Sequence, residues 1–182
     1  MPPTIFTIGH STQGADELLD RLSAHGVRTL ADVRAYPASR RHPQFAREAL
    51  DEACRERGVR YVWMPGLGGR RRARQPATRH PAWREPGFRN YADYMDTPEF
   101  EAAIGDLEAL ARAGPTAFLC AEGLWWQCHR RLISDALTVR GWDVEHVLPN
   151  GSLASHELPD FARVADGHLV YDRGTTGDLE LG

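Results

Sequence analysis

The sequence predicts an α/β fold: a single open, mainly parallel sheet of about five strands, with helices on both faces and a C-terminal β-hairpin. Short apolar runs alternate along the chain with stretches of helical periodicity, which is the pattern of strand–helix units. Glycine follows four of the predicted helices and ends each of them before the chain returns to the sheet. Because 182 residues suffice for one well-buried core, we expect a single domain over 1–182.

The first half of the chain contains three predicted strands and two predicted helices. The strands are rich in β-branched and aromatic residues, and the first of them is "TIFTIGH". The first helix has acidic residues in its opening turn and places Leu18, Leu19 and Leu22 on one face. The predicted strands span 4–10, 29–34 and 59–64, and the predicted helices span 15–25 and 44–57.

The second half begins with an arginine-rich loop or lid at about 65–89, which has internal prolines and no sustained period. Few apolar anchors and many like charges lead us to expect that 70–86 is more mobile than its flanks. Thr97 and Pro98 have the residue types of an N-cap and a first helical position. The remaining predicted elements are helices at 89–95, 98–113 and 126–140, strands at 116–121 and 143–148, and a hairpin at about 160–172 around Asp166-Gly167.

Composition is that of a soluble globular protein, with 42% hydrophobic and 26% charged residues. The first residues lack the pattern of a signal peptide, and no apolar run approaches the roughly 18 residues of a membrane span. We therefore expect a cytoplasmic protein that does not engage a membrane. Three cysteines without CxxC spacing exclude a secreted disulfide framework and a four-cysteine zinc site, so free thiols are expected.

The charge pattern limits the chemistry further. All 22 positively charged residues are arginine, which excludes a Schiff-base lysine and a phosphate-loop lysine. The net charge of −3 argues against nucleic-acid binding over the whole surface. Seven arginines between 70 and 89 are nevertheless opposed by a single acid, Glu85. Any site for a polyanion is therefore expected to be local.

Polar residues collect at the predicted carboxyl ends of four strands. In open parallel sheets, ligands bind beyond these ends, near the place where strand order reverses. The opposite edge carries mainly the glycines that end helices, and this asymmetry predicts an active site at the carboxyl edge. The polar or glycine-rich residues at that edge are His10 and Ser11, Asp32 and Arg34, Gly68 and Gly69 in "PGLGG", and Cys120 and Glu122.

The stretch "FLCAEGLWWQCHRRLISDAL" joins the fourth predicted strand to the helix that follows. We expect Cys128 in the first turn of that helix, where the helix dipole lowers a thiol pKa, with His129 and Arg130 beside it. Arg130 together with the helix N-terminus would then form an anion site. Packing explanations stay open, since Cys120 could be a small buried hydrophobe and Asp32 a structural partner of Arg34.

With these residues assembled, the chain resembles the domain-of-unknown-function family 488. The segments that carry the resemblance are "TIGHS", "DVRAYPAS", "LGG", "YADYM", "CAEGLWWQCHRRLI" and "GHLVY". The resemblance implies an intracellular α/β domain, and the family's shared residues coincide with the site at the strand ends. It adds Ser39 and Tyr91 as expected substrate-binding residues and supplies no reaction.

Four functions are compatible with these residues. The first is an enzyme acting on an anionic, phosphate-bearing substrate, with Arg34 and Arg130 as anion ligands, Glu122, Asp32, His10 or His129 in acid–base roles, and a cysteine as nucleophile. The second is thiol redox or sulfur transfer by Cys120 and Cys128. The third is a non-catalytic nucleic-acid module using the arginine-rich loop. The fourth is a metal site of Cys120, Cys128, His129 and His10, for which the spacing gives little support. The expected partner is an anionic small molecule or a nucleic-acid component, and no particular cofactor is predicted.

Overall fold

A computed structural model describes residues 1–38, 40–73 and 78–173, and it confirms the predicted α/β class. The main sheet has six strands in the order β3-β2-β4-β1-β5-β6, and β7 and β8 form the separate C-terminal hairpin. The strands are β1 (Thr4–Gly9), β2 (Thr29–Asp32), β3 (Arg60–Trp63), β4 (Thr116–Cys120), β5 (Asp143–Val147), β6 (Leu153–Ser155), β7 (Ala162–Ala165) and β8 (His168–Tyr171).

Five α-helices connect the strands. They are α1 (Ala15–Ala24), α2 (Arg47–Glu56), α3 (Pro86–Met95), α4 (Pro98–Ala113) and α5 (Arg130–Val139). Thr97 caps α4 through its side chain, which accepts a hydrogen bond from the Phe100 N–H, and Pro98 is the first helical residue. None of the helices in the described ranges is long and apolar enough to cross a bilayer.

The sheet departs from the sequence prediction by one strand. β6 pairs with β5 in the antiparallel direction, so the sheet has six strands instead of about five. Only Leu153–Ser155 belong to β6, and such a short edge strand has no period-2 pattern long enough to read. All pairings among β1 to β5 are parallel.

The strand order decides where the polar strand ends meet. β4 lies between β1 and β2, with Gly9 opposite Cys120 and Asp32 opposite Leu119. The three strands that carry the residues around His10, Arg34 and Cys120 are therefore neighbours in the middle of the sheet. Parallel pairing sends their carboxyl ends to one edge, which is the arrangement expected from the sequence.

Two hydrophobic cores cover the two faces of the sheet. On one face, α1 and α2 bury a leucine-rich surface with Phe45 and Cys54. On the other face, α3, α4, α5 and the C-terminal hairpin enclose a larger core that contains Tyr91, Phe118, Leu132 and Tyr171. Burial raises the pKa of the Cys54 thiol to about 12, so Cys54 is a packing residue without nucleophilic character.

The helix after β4 begins later than predicted. The sequence places its start at Trp126, whereas Trp125–Gln127 form a short 3-10 turn and α5 starts only at Arg130. Cys128 has extended backbone between the two, with φ −141° and ψ 176°. Cys128 therefore precedes the helix and does not lie in its first turn.

The described part of the expected lid is anchored to the domain. Trp83 and His80 are buried, and the Ala82 N–H donates to the Tyr171 carbonyl in the hairpin. The Trp83 ring packs against Phe88 and Phe161, which the charge-rich sequence did not indicate. Over 78–85 the loop packs against the hairpin and α3, while 74–77 lie outside the described residues.

Candidate functional site

Two cysteine sulfurs meet at the carboxyl end of β4. Cys120 is the last residue of that strand, and the chain turns back through the 3-10 turn so that Cys128 Sγ lies 2.6 Å from Cys120 Sγ. Both are free thiols in this structure. Cys120 is almost fully buried, whereas Cys128 is partly exposed. The pair thus has an inner and an outer sulfur.

The surroundings set different pKa values for the two thiols. Burial, together with the hydrogen bond and charge of Cys128, raises the pKa of Cys120 well above its ordinary value. Burial also opposes ionisation of Cys128, but hydrogen bonds from Cys120 and His129 and the charge of Arg130 hold its pKa well below the ordinary value. Cys128 is therefore the more readily ionised of the two thiols, and the Cys120 sulfur lies in contact with it.

Arg130 lies beneath this pair and does not reach the surface. Its side chain is 1% exposed, and it donates to the carbonyls of Glu122 at 3.0 Å and Gly123 at 3.4 Å. It also donates to Thr7 Oγ1 at 3.4 Å. Among the described residues no carboxylate is within ion-pair distance of Arg130. Its charge instead lowers the pKa of Cys128, so the anion it stabilises is the protein's own sulfur.

The turn held by Arg130 passes directly over β1. A Cβ atom at Gly9 would overlap the carbonyl group of Glu122, and a Cβ at Gly123 would meet Ser11 at 3.1 Å. The N–H groups of His10 and Ser11 donate to the carbonyls of Cys120 and Ala121, which ties the two strand ends together. Ser11 takes a left-handed conformation with φ 50° to make this contact.

Gly9→Ala should lower the free energy of unfolding by about 3 kcal/mol, because the obstacle is a backbone carbonyl that cannot rotate away. Gly14→Ala is the matched control, since a Cβ there has only one neighbour, at 3.9 Å, and φ is −73°. Urea denaturation of both variants checks this. Equal stabilities would show that Gly9 is not required for the close approach of β1 and the Glu122 turn.

Arg34 is held in place from below by Asp32. The fully buried Asp32 carboxylate accepts from Arg34 Nε at 2.8 Å and Nη2 at 2.6 Å, and it also accepts from the Tyr61 hydroxyl. Burial opposes the charge of Arg34, yet the hydrogen bonds and charge of Asp32 raise its pKa. Asp32 is therefore a positioning residue, and it keeps the buried Arg34 charged.

His10 is fixed in one neutral tautomer. Its Nδ1–H donates to the Ser11 carbonyl at 2.8 Å, which leaves Nε2 to accept from Arg34 Nη1 at 3.4 Å. The ring stacks on Phe45 with 4.3 Å between centroids. Burial lowers the pKa of His10 to about 4, and the neighbouring charge of Arg34 contributes in the same direction. Both nitrogens are engaged, so His10 orients Arg34 and is poorly placed as a base.

His129 connects the cysteines to the glycine-rich segment. Its Nε2–H donates to the Val33 carbonyl at 2.8 Å, and its ring contacts Tyr91 at 5.3 Å between centroids. A Cβ at Gly69 would collide with the imidazole, so glycine is required there for close packing on His129. Gly68 is equally crowded, with Ala35 Cα 2.8 Å from its hypothetical Cβ.

These residues surround an open cavity of about 600 Å³, which we call the thiol cavity. Cys120 and Cys128 form part of its wall, with exposed Glu122 beside them. A second cavity of about 530 Å³, the histidine cavity, adjoins it and shares Arg34 and Glu122. The thiol cavity is lined among others by Arg34, Gly69, Arg70, Cys120, Glu122, Cys128 and His129, and the histidine cavity by His10, Ser11, Arg34, Arg40, Arg41 and Glu122.

A family model described as Domain of unknown function DUF488 matches residues 14–137, which is more than half of the chain. The chain belongs to this family. A comparison with curated proteins found no match. A comparison with solved structures found none either. The DUF488 match spans the strand ends of β2 and β4, both cysteines, His129 and Arg130, whereas β1 and the hairpin lie outside it.

Four of the expected site residues of this DUF488 chain do not line either cavity. Asp32 and Tyr91 are fully buried, and the Tyr91 hydroxyl donates to the Leu67 carbonyl at 2.8 Å. Gly68 and Arg130 are buried behind Gly69 and the Glu122 turn. Tyr91 and Arg130, which were expected to contact substrate, donate hydrogen bonds to backbone carbonyls in the structure. Ser39 lies outside the described residues.

Several residues at the site were not found from the sequence. Tyr61 donates to Asp32 from the neighbouring strand, and Tyr36 and Arg70 line the thiol cavity. Tyr61 could have been found, because a tyrosine in a strand next to a buried aspartate is a common donor. Tyr36 is 75% exposed, and nothing in the pattern of its segment distinguishes it from other loop aromatics.

The four residues of the alternative metal site, Cys120, Cys128, His129 and His10, do not form a ligand cluster in the described part of the chain. His10 uses both nitrogens in hydrogen bonds, and the only grouping of three potential ligand atoms within the described ranges is His80, Asp93 and Asp96. There the Tyr171 N–H donates to His80 Nδ1, so Nε2 carries a hydrogen and donates to Asp96 at 2.8 Å. His80 therefore serves the hairpin and has no free lone pair for an ion.

A buried polar network lies behind Arg130. Thr7 Oγ1 donates to His146 Nδ1 at 2.6 Å, and His146 Nε2–H donates to His156 Nδ1 at 2.9 Å. His156 Nε2–H and the Tyr171 hydroxyl then both donate to Asp135 at 2.6 Å. With neutral rings, the donors and acceptors of this hydrogen-bond network all point one way, from Thr7 at the site toward Asp135 and the hairpin. Burial lowers the pKa of His146 to about 2, which keeps that ring neutral in this arrangement.

Proposed function

We propose that this chain is a thiol-dependent enzyme that acts on an anionic substrate, with Cys128 as the nucleophile and Cys120 as the resolving thiol. The observation that supports the proposal is the 2.6 Å contact of the two sulfurs in the wall of an open cavity. A spacing of eight residues hides this pair from motif searches, because the redox motif has two residues between its cysteines.

The electrostatics divide the two roles. A thiolate is the attacking form, and the lowered pKa and partial exposure of Cys128 suit attack on a ligand in the cavity. The raised pKa of Cys120 keeps it protonated while Cys128 is charged. Once Cys128 is in a covalent bond, its charge and its hydrogen bond no longer raise the pKa of Cys120. Cys120 therefore ionises more readily once Cys128 is bonded to the substrate.

The proposed reaction is thiol–disulfide exchange. Cys128 Sγ attacks one sulfur of a substrate disulfide, the substrate S–S bond breaks, and the other sulfur leaves as a thiolate that takes a proton from solvent. Cys120 then gives its proton to solvent and attacks Cys128 Sγ, which releases the first half of the substrate as a thiolate that also takes a proton from solvent. The substrate has gained two electrons and two protons, and the cysteines form a disulfide. A dithiol reductant restores both thiols.

Two arginines support the preference for an anion. Arg34, which is buried and fixed by Asp32, and the exposed Arg70 both line the thiol cavity. Arg70 has no carboxylate within ion-pair distance among the described residues. A phosphate or carboxylate on the substrate would therefore meet two positive charges, and Arg70 could bind it by bidentate hydrogen bonds.

Oxidation by glutathione disulfide should remove two of the three thiols, and peptide mapping should locate them at Cys120 and Cys128. The Cys120→Ser variant should stop at a mixed disulfide with one glutathione on Cys128, because the resolving thiol is missing. Cys128→Ser should form neither product. Mass spectrometry after alkylation in denaturant measures all three outcomes.

Cys54→Ser is the control, since its buried sulfur lies on the other face of the sheet, and it should behave as the wild type does. The proposal is wrong if wild-type protein keeps three thiols under oxidation. It is equally wrong if the Cys120→Ser and Cys128→Ser variants give the same products.

A further inference from the structure

A third cavity of about 530 Å³ adjoins the thiol cavity, and we call it the aromatic cavity. The two share the wall formed by Ala35, Tyr36 and Ala38, and they share Arg70. The roles proposed above leave this space unused. Its size is within the range of pockets that hold small organic ligands.

Two aromatic rings define the aromatic cavity. Tyr36 is 75% exposed, which is unusual for so large a ring without a partner surface. Trp63 is half-buried and cannot turn freely, because its Nε1–H donates to the Arg34 carbonyl at 2.9 Å. The cavity therefore offers the exposed Tyr36 ring for stacking with a planar group, beside a Trp63 ring that is held in place.

Two guanidinium groups accompany these rings. Arg47 lies over Trp63 with Cζ 4.3 Å from the ring centroid, and Arg70 lies 5.9 Å from the centroid of Tyr36. Within the described ranges neither has a carboxylate at ion-pair distance. Arg71, by contrast, donates to the carbonyls of Pro65, Gly66 and Gly68 and supports the loop. Two charges therefore remain for a ligand.

We propose that the anionic substrate carries a nucleoside phosphate, with its base in the aromatic cavity against Tyr36 and its phosphate on Arg70. Arg70 lines both cavities, so a phosphate bound there lies at the junction with the thiol cavity. The rest of the ligand then extends toward Cys128. Stacking on an aromatic ring and pairing with a guanidinium are the two interactions by which proteins bind nucleotides without reading their sequence.

The identification of this ligand as the substrate rests on the proposed function, whereas the binding itself does not. Calorimetry of AMP needs no thiol chemistry, and the oxidation experiment uses no nucleotide. Each proposal can therefore fail while the other stands.

Isothermal titration calorimetry with AMP tests the site. Adenosine and ribose 5-phosphate, each with half of the recognised groups, should bind at least about tenfold more weakly than AMP. Tyr36→Ala should weaken AMP binding by at least about fivefold, since base stacking contributes roughly a factor of 5 to 150. Tyr36→Phe should restore it, because the ring and not the hydroxyl is needed.

The charge requirement is tested by a matched pair. Arg70→Gln should weaken AMP binding at least about tenfold, while Arg28→Gln makes the same charge change at the opposite edge of the sheet and should have no effect. Hexathymidylate is the second probe. A logarithmic salt slope that grows by about 0.7 per phosphate identifies a single strand as the source of the nucleotide, and a preference for AMP identifies a free nucleotide.

Either source supports the proposal. Binding of neither probe by the wild type overturns it, as does AMP binding that is unchanged in Tyr36→Ala or equally weakened in Arg28→Gln. Melting temperatures of the variants show that they are folded, and the exposed positions of Tyr36, Arg70 and Arg28 make these substitutions mild.

Discussion

Replacing Arg130 with methionine is expected to lower the free energy of unfolding by about 3–5 kcal/mol, although methionine fills much of the same volume. The loss arises because the carbonyls of Glu122 and Gly123 would stay buried without their donor. The thiolate of Cys128 would also lose the positive charge beneath it. Urea denaturation near neutral pH measures the change.

The same substitution has a second readout that a simple packing defect would not produce. Since the charge of Arg130 lowers the pKa of Cys128, Arg130→Met should raise that pKa. The rate of alkylation by iodoacetamide, followed against pH, should then fall off at a higher pH than in the wild type. Cys54 does not interfere, because it is buried and its pKa is raised.

Arg131→Met is the matched control. Arg131 lies over Trp83 and Phe161, at 4.9 and 5.9 Å from their centroids, and its loss should cost about 1 kcal/mol without changing the alkylation profile. If the two variants were equally stable, or if Cys128 reacted alike in both, Arg130 would not be the support of the site. The sequence suggested Arg130 as the ligand of a bound anion, and the structure gives it this internal role instead.

The fold could be predicted because strands and helices each show their own hydrophobic period in the sequence. Strand–helix alternation, the helix-ending glycines and the Asp166-Gly167 turn fix β1 to β5, the helices and the hairpin to within a few residues. β6 was not predicted because a strand of three residues shows no readable period. The start of α5 was predicted too early because Trp125–Gln127 already form a helical turn. Tertiary contacts decided both cases.

The location of the site could be predicted better than its chemistry. Parallel strands bring their carboxyl ends to one edge, so His10, Arg34 and Cys120 had to be close. The contact of Cys120 with Cys128 depends on the path of the turn between them and on where the two side chains point. No sequence rule predicts either. The burial of Arg130 and Tyr91 likewise depends on which face of α5 and α3 the sheet covers.

Acidification from pH 6.5 to 5 is expected to lower the free energy of unfolding by about 3 kcal/mol through two histidines. Burial lowers the pKa of His146 to about 2, and the charges of His156 and Arg130 act in the same direction. The pKa of His10 is lowered to about 4. The unfolded chain, with histidine pKa values near 6.5, binds these two protons first as the pH falls, so unfolding is favoured.

The sign and size follow from proton linkage. A group with a lowered folded pKa contributes stability above its unfolded pKa and loses it as the pH falls toward the folded value. The slope contributed by each histidine rises from about 0.7 kcal/mol per pH unit at pH 6.5 to about 1.4 well below it, so the window gives about 1.6 kcal/mol each. The window ends at pH 5 because ordinary carboxylates begin to titrate below it.

The measurement compares slopes, because a substitution in the buried network also lowers the overall level of stability. His146→Asn should reduce the slope of unfolding free energy against pH by about 1.4 kcal/mol per unit below pH 6, whatever its stability at pH 7. His10→Asn should give the same reduction, but only down to about pH 4, where the wild-type His10 itself becomes protonated. The contribution of Cys128 and the carboxylates cancels in these differences. An unchanged slope in His146→Asn would mean that the network from Thr7 to Asp135 accepts a proton in the folded state, and the tautomers assigned to it would then be wrong.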